Sequence, residues 1–478
     1  MQADQFYIGG KWVEALGSER VEVRSPGDGT LLGTAALGNA ADADRAVETA
    51  AAAYGAWSHS SVDDRLAVLR RMRDAFAEIA DVMAEHLTRE IGLTTGMARG
   101  QSALALDHFA VALDLLPRYA FSTRPDPMVE LVKEPIGVVV AITSWNAPVS
   151  QMLCKAAPAI AAGCTVIVKP SERAPLCGIL LAEAMAKADI PPGVFNLLNG
   201  TGADCGRRLC EHPLVDMISV TGSVAGGAAI AQAAAPTIKR VHQELGGKSA
   251  NLLLPDSDFA QAVPRAVQLC MMNAGQVCAA PSRLLVPEDR FEDVARLAVQ
   301  AAEAMVLGPP SDAATTLGPL ANRMQFDRVE AIIAEAVSEG QPLLTGGPGR
   351  PEGLKAGFYL RPTIFGPVDP QASIAQEEVF GPVLSILTYR DEEDAVRIAN
   401  DSRFGLAAYV ESADGGAARR VARQIRAGYV RINSPGWTNA APFGGFRQSG
   451  NGKQYGVWGF EEFLEIKAIV SDAEEEVA

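Results

Sequence analysis

Ile136-Gly-Val-Val-Val-Ala-Ile-Thr143 is a continuous apolar run rich in β-branched residues, and the polar triplet Ser144-Trp-Asn146 follows it directly. Such a run is typical of a parallel strand that is buried on both faces. Further strand-like runs follow at 165–169, 217–220 and 240–244, with helical stretches between them. Strands that alternate with helices predict right-handed βαβ units and an open parallel sheet.

A second α/β pattern begins near residue 250. Its predicted strands are 251–254, 283–286, 384–389 and 428–433, and its predicted helices are 259–273, 291–305 and 323–339. Before the first sheet, helices are predicted from residue 41 to 57, from 61 to about 90 and from 95 to 116. The fold class is therefore α/β, with two open parallel α/β domains.

The composition is that of an intracellular globular protein with more than one domain. The chain has 478 residues, of which 48% are hydrophobic, and a net charge of −15, which argues against nucleic acid or an anionic membrane as partner. The N-terminus lacks the features of a secretory leader, and no apolar stretch reaches the roughly 18 residues of a membrane span. The seven cysteines include no CxxC pair and the five histidines are scattered. We therefore expect a cytoplasmic protein without a metal site.

Cys278 and Glu244 are the residues with the most suggestive chemistry. A thiolate adds readily to carbonyl carbon, and a carboxylate can accept its proton or activate a water molecule. Glycines stand beside both residues, so that a ligand can approach the backbone closely. Alone, Cys278 could equally be an inert buried cysteine, and Glu244 a salt-bridged carboxylate.

Two polar groups follow predicted strands, where open α/β sheets place their ligands. The Asn146 side chain can donate to an oxyanion, although it is also an ordinary turn residue before Pro148. In Lys169-Pro-Ser-Glu172 a carboxylate and an ammonium could bind ribose hydroxyls, although a salt-bridged turn is the simpler interpretation.

Three other motifs are individually weak. The run from Gly200 to Gly206 departs from the usual GxGxxG spacing. Ser223, in Thr221-Gly-Ser223, opens a helix whose N-terminus could bind pyrophosphate, but it is also an ordinary N-cap. Glu378 and Phe380 could hold a ribose and a flat ring, or belong to a loop without function.

In this order the motifs resemble those of the NAD(P)-dependent aldehyde dehydrogenase superfamily, over essentially the whole chain. The matching runs are Ser144-Trp-Asn146, Lys169-Pro-Ser-Glu172, Thr221-Gly-Ser223, Glu244-Leu-Gly-Gly247, Gly275-Gln-Val-Cys278, Glu378-Val-Phe-Gly-Pro382 and Pro442-Phe-Gly-Gly-Phe-Arg-Gln-Ser-Gly450.

The resemblance implies three parts and a homodimer or homotetramer. A Rossmann-like NAD-binding domain would comprise residues 1–118 and 136–246, a catalytic domain 247–445, and an oligomerisation element 119–135 and 446–478. The sequence offers no nearby partner for the strand predicted at 463–470. The resemblance implies that this strand extends the sheet of a neighbouring subunit.

The resemblance also implies a mechanism. Cys278 would attack an aldehyde carbon, while the Asn146 side-chain amide and the Cys278 backbone N–H hold the oxyanion. After hydride transfer to the nicotinamide, Glu244 would activate the water that releases a carboxylic acid from the thioester.

The implied cofactor is NAD. Glu378 would hold the nicotinamide ribose beside Phe380, Ser223 the pyrophosphate, and Lys169 and Glu172 the adenine ribose. Glu172 would repel a 2′-phosphate, which favours NAD, although Lys169 leaves NADP open. The full set of expected cofactor residues is Ile142, Thr143, Ser144, Trp145, Lys169, Ser171, Glu172, Gly202, Gly206, Thr221, Gly222, Ser223, Leu245, Gly246, Glu378 and Phe380.

The expected substrate pocket departs from the common family form. It comprises Ala147, Gln151, Cys154, Met272, Val277, Ala279, Pro435, Trp437 and Phe443. Ala147 stands where an aromatic residue is frequent, which predicts room for a bulky, aromatic or branched aldehyde. Two alternatives stay open: acyl transfer to coenzyme A through the same thioester, which Glu244 disfavours, and an inactive cofactor-binding structural homologue.

Overall fold

The structure, a computed structural model, describes residues 3–434 and 436–472. Its strands are β1 (Gln5–Ile8), β2 (Lys11–Glu14), β3 (Arg20–Arg24), β4 (Leu31–Ala36), β5 (Ser122–Asp126), β6 (Val129–Pro135), β7 (Val138–Ile142), β8 (Thr165–Lys169), β9 (Phe195–Leu197), β10 (Met217–Thr221), β11 (Arg240–Glu244), β12 (Ala250–Leu253), β13 (Arg283–Pro287), β14 (Leu343–Thr345), β15 (Thr363–Phe365), β16 (Val383–Tyr389), β17 (Ala407–Glu411), β18 (Tyr429–Ile432), β19 (Gly450–Asn451) and β20 (Leu464–Val470).

The α-helices surround the sheets. They are α1 (Ala40–Ser58), α2 (Val62–Ile91), α3 (Thr95–Leu115), α4 (Pro148–Ala162), α5 (Pro175–Ala186), α6 (Arg207–Glu211), α7 (Val224–Ala234), α8 (Phe259–Met271), α9 (Phe291–Glu303), α10 (Arg323–Ser338), α11 (Ser373–Gln376), α12 (Glu392–Asn400), α13 (Gly415–Gln424) and α14 (Gly456–Glu461). None of the helices within the described ranges is both long and apolar enough to span a bilayer.

The first sheet has the strand order β19-β11-β10-β7-β8-β9-β1-β2, and its five central strands, β11 to β9 in that order, are parallel. Alternate residues of β7 face opposite sides of the sheet: Val139 and Ala141 join one apolar cluster, and Val138 and Val140 another. Helices therefore cover both faces, as the apolar run predicts. From β7 the chain proceeds through β8 to β9 on one side and later occupies β10 and β11 on the other, so a topological switch point lies between β7 and β10.

The second sheet has the order β14-β15-β16-β13-β12-β17-β18, and only β14 is antiparallel to its neighbour. β11 ends at Glu244 and β12 begins at Ala250, so the carboxyl edge of the first sheet leads within a few residues to the amino edge of the second. Cys278 precedes β13 at that amino edge. The fold thus brings the two residues with the strongest chemistry to the junction between the sheets.

The C-terminal strand has a partner in its own chain. β20 pairs antiparallel with β6 along its whole length, from Leu464 opposite Pro135 to Val470 opposite Val129, and β5 completes a three-stranded sheet. The strand predicted at 463–470, for which the sequence offers no nearby partner, thus pairs with a strand hundreds of residues earlier in the chain. The pairing is distant in sequence, and strand periodicity carries no information on such a partner. Extension of a neighbouring subunit's sheet stays a prediction.

Most of the other elements begin and end within two residues of the predictions. β8 and β11 have the predicted bounds, and α3, predicted over 95–116, ends at Leu115. One of the helical stretches between the predicted strands is a π-helical turn, Gly202–Gly206, followed by the short α6. The predicted boundaries of the three parts stay a prediction, and β19 lies at the edge of the first sheet rather than with β20.

Candidate active site

The loop before Cys278 is held in a fixed shape. Asn273 and Ala274 both have φ of +52° and Gly275 has +73°, and a Cβ on Gly275 would lie 1.8 Å from the Gly381 carbonyl oxygen. Only glycine fits that approach. Cys278 is partly exposed, whereas the other six cysteines are buried. Cys278 is thus the most accessible thiol of the seven, and its role as nucleophile stays a prediction.

Asn146 lies beside this loop. Its side-chain Nδ2 donates to the Gln276 carbonyl oxygen at 2.9 Å, and its Oδ1 accepts from the Ser144 hydroxyl. Gln151 accepts from the Ser144 N–H at 2.9 Å and from its hydroxyl at 2.8 Å. These contacts fix the amide plane of Asn146 and leave its second N–H free to donate. Gln151, expected to line the pocket, therefore also orients Asn146.

Glu244 is a buried carboxylate, 3% exposed, at the carboxyl end of β11. Neither of its side-chain oxygens has a hydrogen-bond partner among the described residues. Burial raises the pKa of Glu244 well above its ordinary value, while the charges of Lys155 and Lys453 oppose the rise. A buried carboxyl without a partner is costly and is common where a proton must be accepted during a reaction.

The Cys278 thiol lies close enough to Glu244 to be affected by its charge. Burial raises the pKa of Cys278 to about 12, and the charges of Glu244 and Glu378 add to the rise. The resting thiol is therefore protonated at neutral pH, so nucleophilic attack needs a group that takes its proton. Glu244, with an elevated pKa, is suited to that task.

Three further groups around Glu244 were not predicted. Lys155 on α4 is 1% exposed and its Nζ has no hydrogen-bond partner within residues 3–434 and 436–472. Lys453 donates to the Gly444 carbonyl oxygen at 2.6 Å. His242 Nε2 lies 3.6 Å from Glu244 Oε1. His242 could have been found from its spacing to Glu244 on the predicted strand, because residues two apart on a strand share a face.

Glu378 reaches back to the segment between the two sheets. Its Oε1 accepts from the Gly247 N–H at 3.1 Å, and a Cβ on Gly246 would lie 2.2 Å from its Oε2. The Glu378 carboxylate therefore packs directly against the Gly246 backbone, where a side chain would not fit. Phe380, at φ +57°, packs its ring edge-on against Trp145 at 5.5 Å, so the residues after β7 and after α11 form one wall.

The switch point carries the glycine-rich turns. Ser223 caps α7, accepting from the Gly226 N–H at 3.1 Å, and the first N–H groups of that helix have no partner within it. A Cβ built on Gly222 or on Gly202 meets no atom within 4 Å, so both turns border open space. Gly206, by contrast, packs on the Lys169 side chain.

Lys169 and Glu172 lie after β8. Lys169 Nζ is buried and donates to the carbonyl oxygens of Gly200, at 2.7 Å, and Pro170, at 2.9 Å. Glu172 Oε2 is 3.9 Å from this ammonium and its side chain is 35% exposed. Lys169 therefore has one donor left, and Glu172 is the group available to an incoming ligand. Ser171 is buried and accepts from the Arg173 N–H at 3.3 Å.

The remaining expected cofactor residues lie on this side of the first sheet. Thr143 is buried with its hydroxyl unpartnered among the described residues, as is the Thr221 hydroxyl. Leu245 packs against Gly227 of α7, and Ile142 ends β7 and packs into the apolar cluster on one face of the sheet.

An aromatic cluster stands beside Cys278. Tyr429, Trp437, Phe443 and Tyr455 have ring centroids 5.4 to 6.0 Å apart. Val277, Cys278 and Ala279 pack in the same cluster. Tyr455 also lines a small cavity together with His108, Cys154 and Phe460. Tyr429 and Tyr455 were missed from the sequence because their strand and loop run far from Cys278 along the chain.

Among the expected pocket residues, only Cys154 lines this cavity within the described ranges. Ala147 caps the start of α4. Met272 is 40% exposed. Pro435 lies outside the described residues. Within the described ranges no group of three or more His, Cys, Asp or Glu side chains could hold a metal ion.

Comparison with known proteins places this arrangement in a family. The model of the aldehyde dehydrogenase family matches residues 12–469. The chain belongs to the aldehyde dehydrogenase family. It is 45% identical over 468 residues, 98% of each chain, to a 3-succinoylsemialdehyde-pyridine dehydrogenase of a Pseudomonas species.

Solved aldehyde dehydrogenases have the same fold. A cysteine-to-alanine variant of aldehyde dehydrogenase C from Pseudomonas syringae, in complex with NAD⁺ and octanal, matches 100% of this chain and 98% of its own at TM-score 0.98 and 48% identity. The Mycobacterium tuberculosis aldehyde dehydrogenase, in complex with NAD⁺, matches 99% of each chain at TM-score 0.95 and 38% identity. The α/β fold predicted from the sequence and the resemblance to this family are confirmed. The protein is accordingly an oxidoreductase that acts on aldehydes.

Proposed function

We propose that the protein oxidises an aldehyde to the carboxylic acid with NAD as acceptor, through a thioester on Cys278. The observation that carries the proposal is the unpartnered, buried Glu244 carboxylate, close enough to Cys278 for its charge to raise the pKa of the thiol. A nucleophile and a base in one water-poor space can make an acyl-enzyme and then hydrolyse it.

In the first step Cys278 gives its proton to Glu244 and its sulfur attacks the aldehyde carbon. The C–S bond forms as the carbonyl π pair moves to oxygen. The second N–H of the Asn146 amide and the Cys278 backbone N–H stabilise that oxyanion. Because contacts from Gln276, Ser144 and Gln151 already fix the Asn146 amide, little reorganisation is needed when the charge develops.

The residues at the switch point fit NAD. Open space beside Gly202 and Gly222 leaves room for a dinucleotide at the N-terminus of α7, where Ser223 and backbone N–H groups would hold pyrophosphate. Glu378 would hold the nicotinamide ribose near the Phe380 ring, and Glu172 with the last donor of Lys169 the adenine ribose. NAD, which the Pseudomonas syringae and Mycobacterium tuberculosis relatives bind, supplies the acceptor for the hydride that leaves the tetrahedral carbon.

After hydride transfer Glu244 releases to solvent the proton that it took from Cys278. In the last step it takes a proton from a water molecule, whose oxygen attacks the thioester carbon. The C–S bond breaks, the sulfur leaves as the thiolate and regains a proton, and the carboxylic acid is released. Burial raises the pKa of Glu244, and the raised pKa favours this step because a more basic carboxylate is a better proton acceptor.

An aldehyde panel tests the proposed function. With NAD and no coenzyme A, we expect NADH and the free acid in equal amounts, followed by absorbance and by chromatography. If the acid appears only as its coenzyme A ester, the acyl-transfer alternative replaces the proposal. If no aldehyde yields NADH, the inactive cofactor-binding alternative replaces it.

The cofactor choice is tested at Glu172. Replacing it by glutamine removes the charge that repels a 2′-phosphate and weakens the hydrogen bonds to ribose hydroxyls, which are worth about 1.5–3 kcal/mol each when charged. We expect kcat/KM for NAD to fall about tenfold and kcat/KM for NADP to rise. The exposed Glu288, replaced by glutamine, is the matched control. An unchanged NAD to NADP ratio in E172Q contradicts this assignment.

We further propose a bulky or aromatic aldehyde as substrate. Ala147 is small, and the aromatic cluster beside Cys278 provides flat apolar walls. One relative is named for a pyridine-bearing semialdehyde and another binds octanal, and both are bulkier than acetaldehyde.

Replacing Ala147 by phenylalanine tests this substrate class. We expect kcat/KM for benzaldehyde to fall at least about tenfold, while kcat/KM for acetaldehyde changes little, because only the larger substrate needs that space. The matched control is Ala147→Ser, which adds one atom. A wild-type enzyme that strongly prefers acetaldehyde to benzaldehyde contradicts the proposal.

The three-stranded sheet supports a homo-oligomer. Ile466, Ile469 and Val470 of β20 are 66%, 46% and 67% exposed, and one edge of β20 has no partner among the described residues. Burying this apolar strand against a second copy would remove an edge prone to unspecific pairing.

All seven cysteines are free thiols, which fits the predicted reducing cytoplasm.

A further inference from the structure

His242 lies next to Glu244 in the interior of the first sheet. The two residues are two apart on β11 and both are buried, His242 at 2% exposure. The His242 Nδ1 is 3.0 Å from the Ser219 hydroxyl of β10. The Nε2 on the other side of the ring is 3.6 Å from Glu244 Oε1 and has no other partner within the described ranges.

The hydrogen positions follow from the partners. Burial and the charges of Lys155 and Lys453 hold the pKa of His242 well below its ordinary value, so the ring is neutral and carries one N–H. Ser219 is fully buried, and His242 Nδ1 is its side chain's one hydrogen-bond partner among the described residues. If the hydroxyl donates to Nδ1, the ring proton sits on Nε2 and faces the carboxylate. The other tautomer would set a lone pair against a carboxylate oxygen.

We propose that His242 is a positioning residue whose Nε2–H donates to the Glu244 carboxylate, holds it in place and stabilises its ionised form. The proposal rests on the proposed role of Glu244 as the base for thioester hydrolysis. The present 3.6 Å lies just beyond hydrogen-bond range, and a small side-chain rotation of Glu244 closes it.

Packing keeps the pair together. A Cβ on Gly452 would lie 2.5 Å from the His242 ring, and one on Gly444 would lie 2.5 Å from Glu244 Oε1. Both glycines have positive φ, so the loop around β19 closes over the pair at positions that disfavour any side chain. The other titratable groups whose charge acts on Glu244 or is affected by it are Cys154, Lys155, Cys278, Lys453, Tyr455 and Glu462.

The test separates acylation from deacylation in the full-length enzyme. 4-Nitrophenyl acetate acylates Cys278 without a cofactor, giving a burst of nitrophenol whose amplitude counts competent sites, and the steady phase then reports hydrolysis. In His242→Leu we expect the burst amplitude to stay unchanged. The rate of the steady phase is measured against pH. The acid limb of this pH–rate profile should move about one pH unit upward, because an ionised carboxylate that loses a hydrogen-bond donor is protonated at higher pH.

Two further variants keep the proposal falsifiable if His242→Leu folds poorly. His242→Gln keeps an N–H near the Nε2 position and should restore the acid limb toward wild type. Ser219→Ala keeps the ring but frees its tautomer, and should shift the limb in the same direction by less. A limb that stays in place in His242→Leu or Ser219→Ala overturns the proposal.

Glu244→Gln separates a failure of the His242 proposal from a failure of the proposed function. If it abolishes the steady phase while the His242 and Ser219 variants leave the acid limb unmoved, the role of Glu244 stands and that of His242 falls. If Glu244→Gln hydrolyses the ester at the wild-type rate, the proposed function itself fails.

Discussion

Replacement of Cys278 by alanine is expected to lower kcat for aldehyde oxidation by at least about 10⁴-fold, because removal of a covalent nucleophile eliminates the thioester path. The alanine is smaller than the thiol and sits on a loop that the Asn273 and Gln276 hydrogen bonds hold independently of the sulfur. The fold and NAD binding should therefore survive. Steady-state NADH formation measures the loss, and quenching of tryptophan fluorescence by NAD measures retained binding.

A matched cysteine variant makes this result specific. Cys270 is fully buried in the core of the second sheet, where its thiol contacts the Val383 carbonyl oxygen. Cys270→Ala should cost some thermal stability and leave kcat within about twofold of wild type, because the site is not touched. A Cys278→Ala enzyme with wild-type turnover would rule out covalent catalysis at this residue.

Replacement of Glu244 by glutamine is expected to lower steady-state kcat by about 10² to 10³-fold. The amide has nearly the same shape but cannot accept a proton from water, so thioester hydrolysis becomes the slow step. Hydride transfer precedes that step. A pre-steady-state burst of NADH, approaching one equivalent per site, should therefore remain visible in stopped-flow absorbance at about 340 nm, where the reduced nicotinamide absorbs. The burst should rise more slowly than in wild type, because glutamine cannot take the proton of Cys278.

The same variant changes the reactivity of the thiol in a definite direction. The charge of Glu244 contributes to the raised pKa of Cys278, so a neutral glutamine should lower that pKa. More thiolate is then present at a given pH, and alkylation of Cys278 by iodoacetamide should reach its plateau at lower pH than in wild type. Loss of the NADH burst together with slower alkylation would indicate that Glu244 acts in acylation alone, which would contradict its role in thioester hydrolysis.

The parts of the fold that the sequence predicts are those with a local signal. The β7 run is apolar at every position that must face a helix layer, and α2 begins with a Ser61–Asp64 capping box and ends at Gly92 in the left-handed conformation. The pairing of β20 with β6 had no such signal. Hundreds of residues separate the strands, and only the three-dimensional path of the chain brings them together.

The candidate site divides in the same way. Cys278, Glu244 and Asn146 stand in recognisable motifs, so residue type and order were enough to single them out. Lys155, Tyr455 and His242 act through proximity across different elements, and their surroundings become visible only when α4, β11 and the loop around β19 are packed together. Gln151 shows the limit of position alone: it lies where a pocket residue was expected, but its side chain holds Ser144 and Asn146.

The central claim is that Cys278 carries an acyl group which Glu244 removes. Mass spectrometry of Glu244→Gln, mixed with NAD and an aldehyde that the panel identifies as a substrate, quenched in acid and digested, tests it most directly. The peptide containing Cys278 should gain the mass of the aldehyde less two hydrogens, in about one copy per chain, and the peptides with the six buried cysteines should gain nothing. An unmodified Cys278 peptide from enzyme that has produced a burst of NADH, or an acyl group on another cysteine, would contradict the claim.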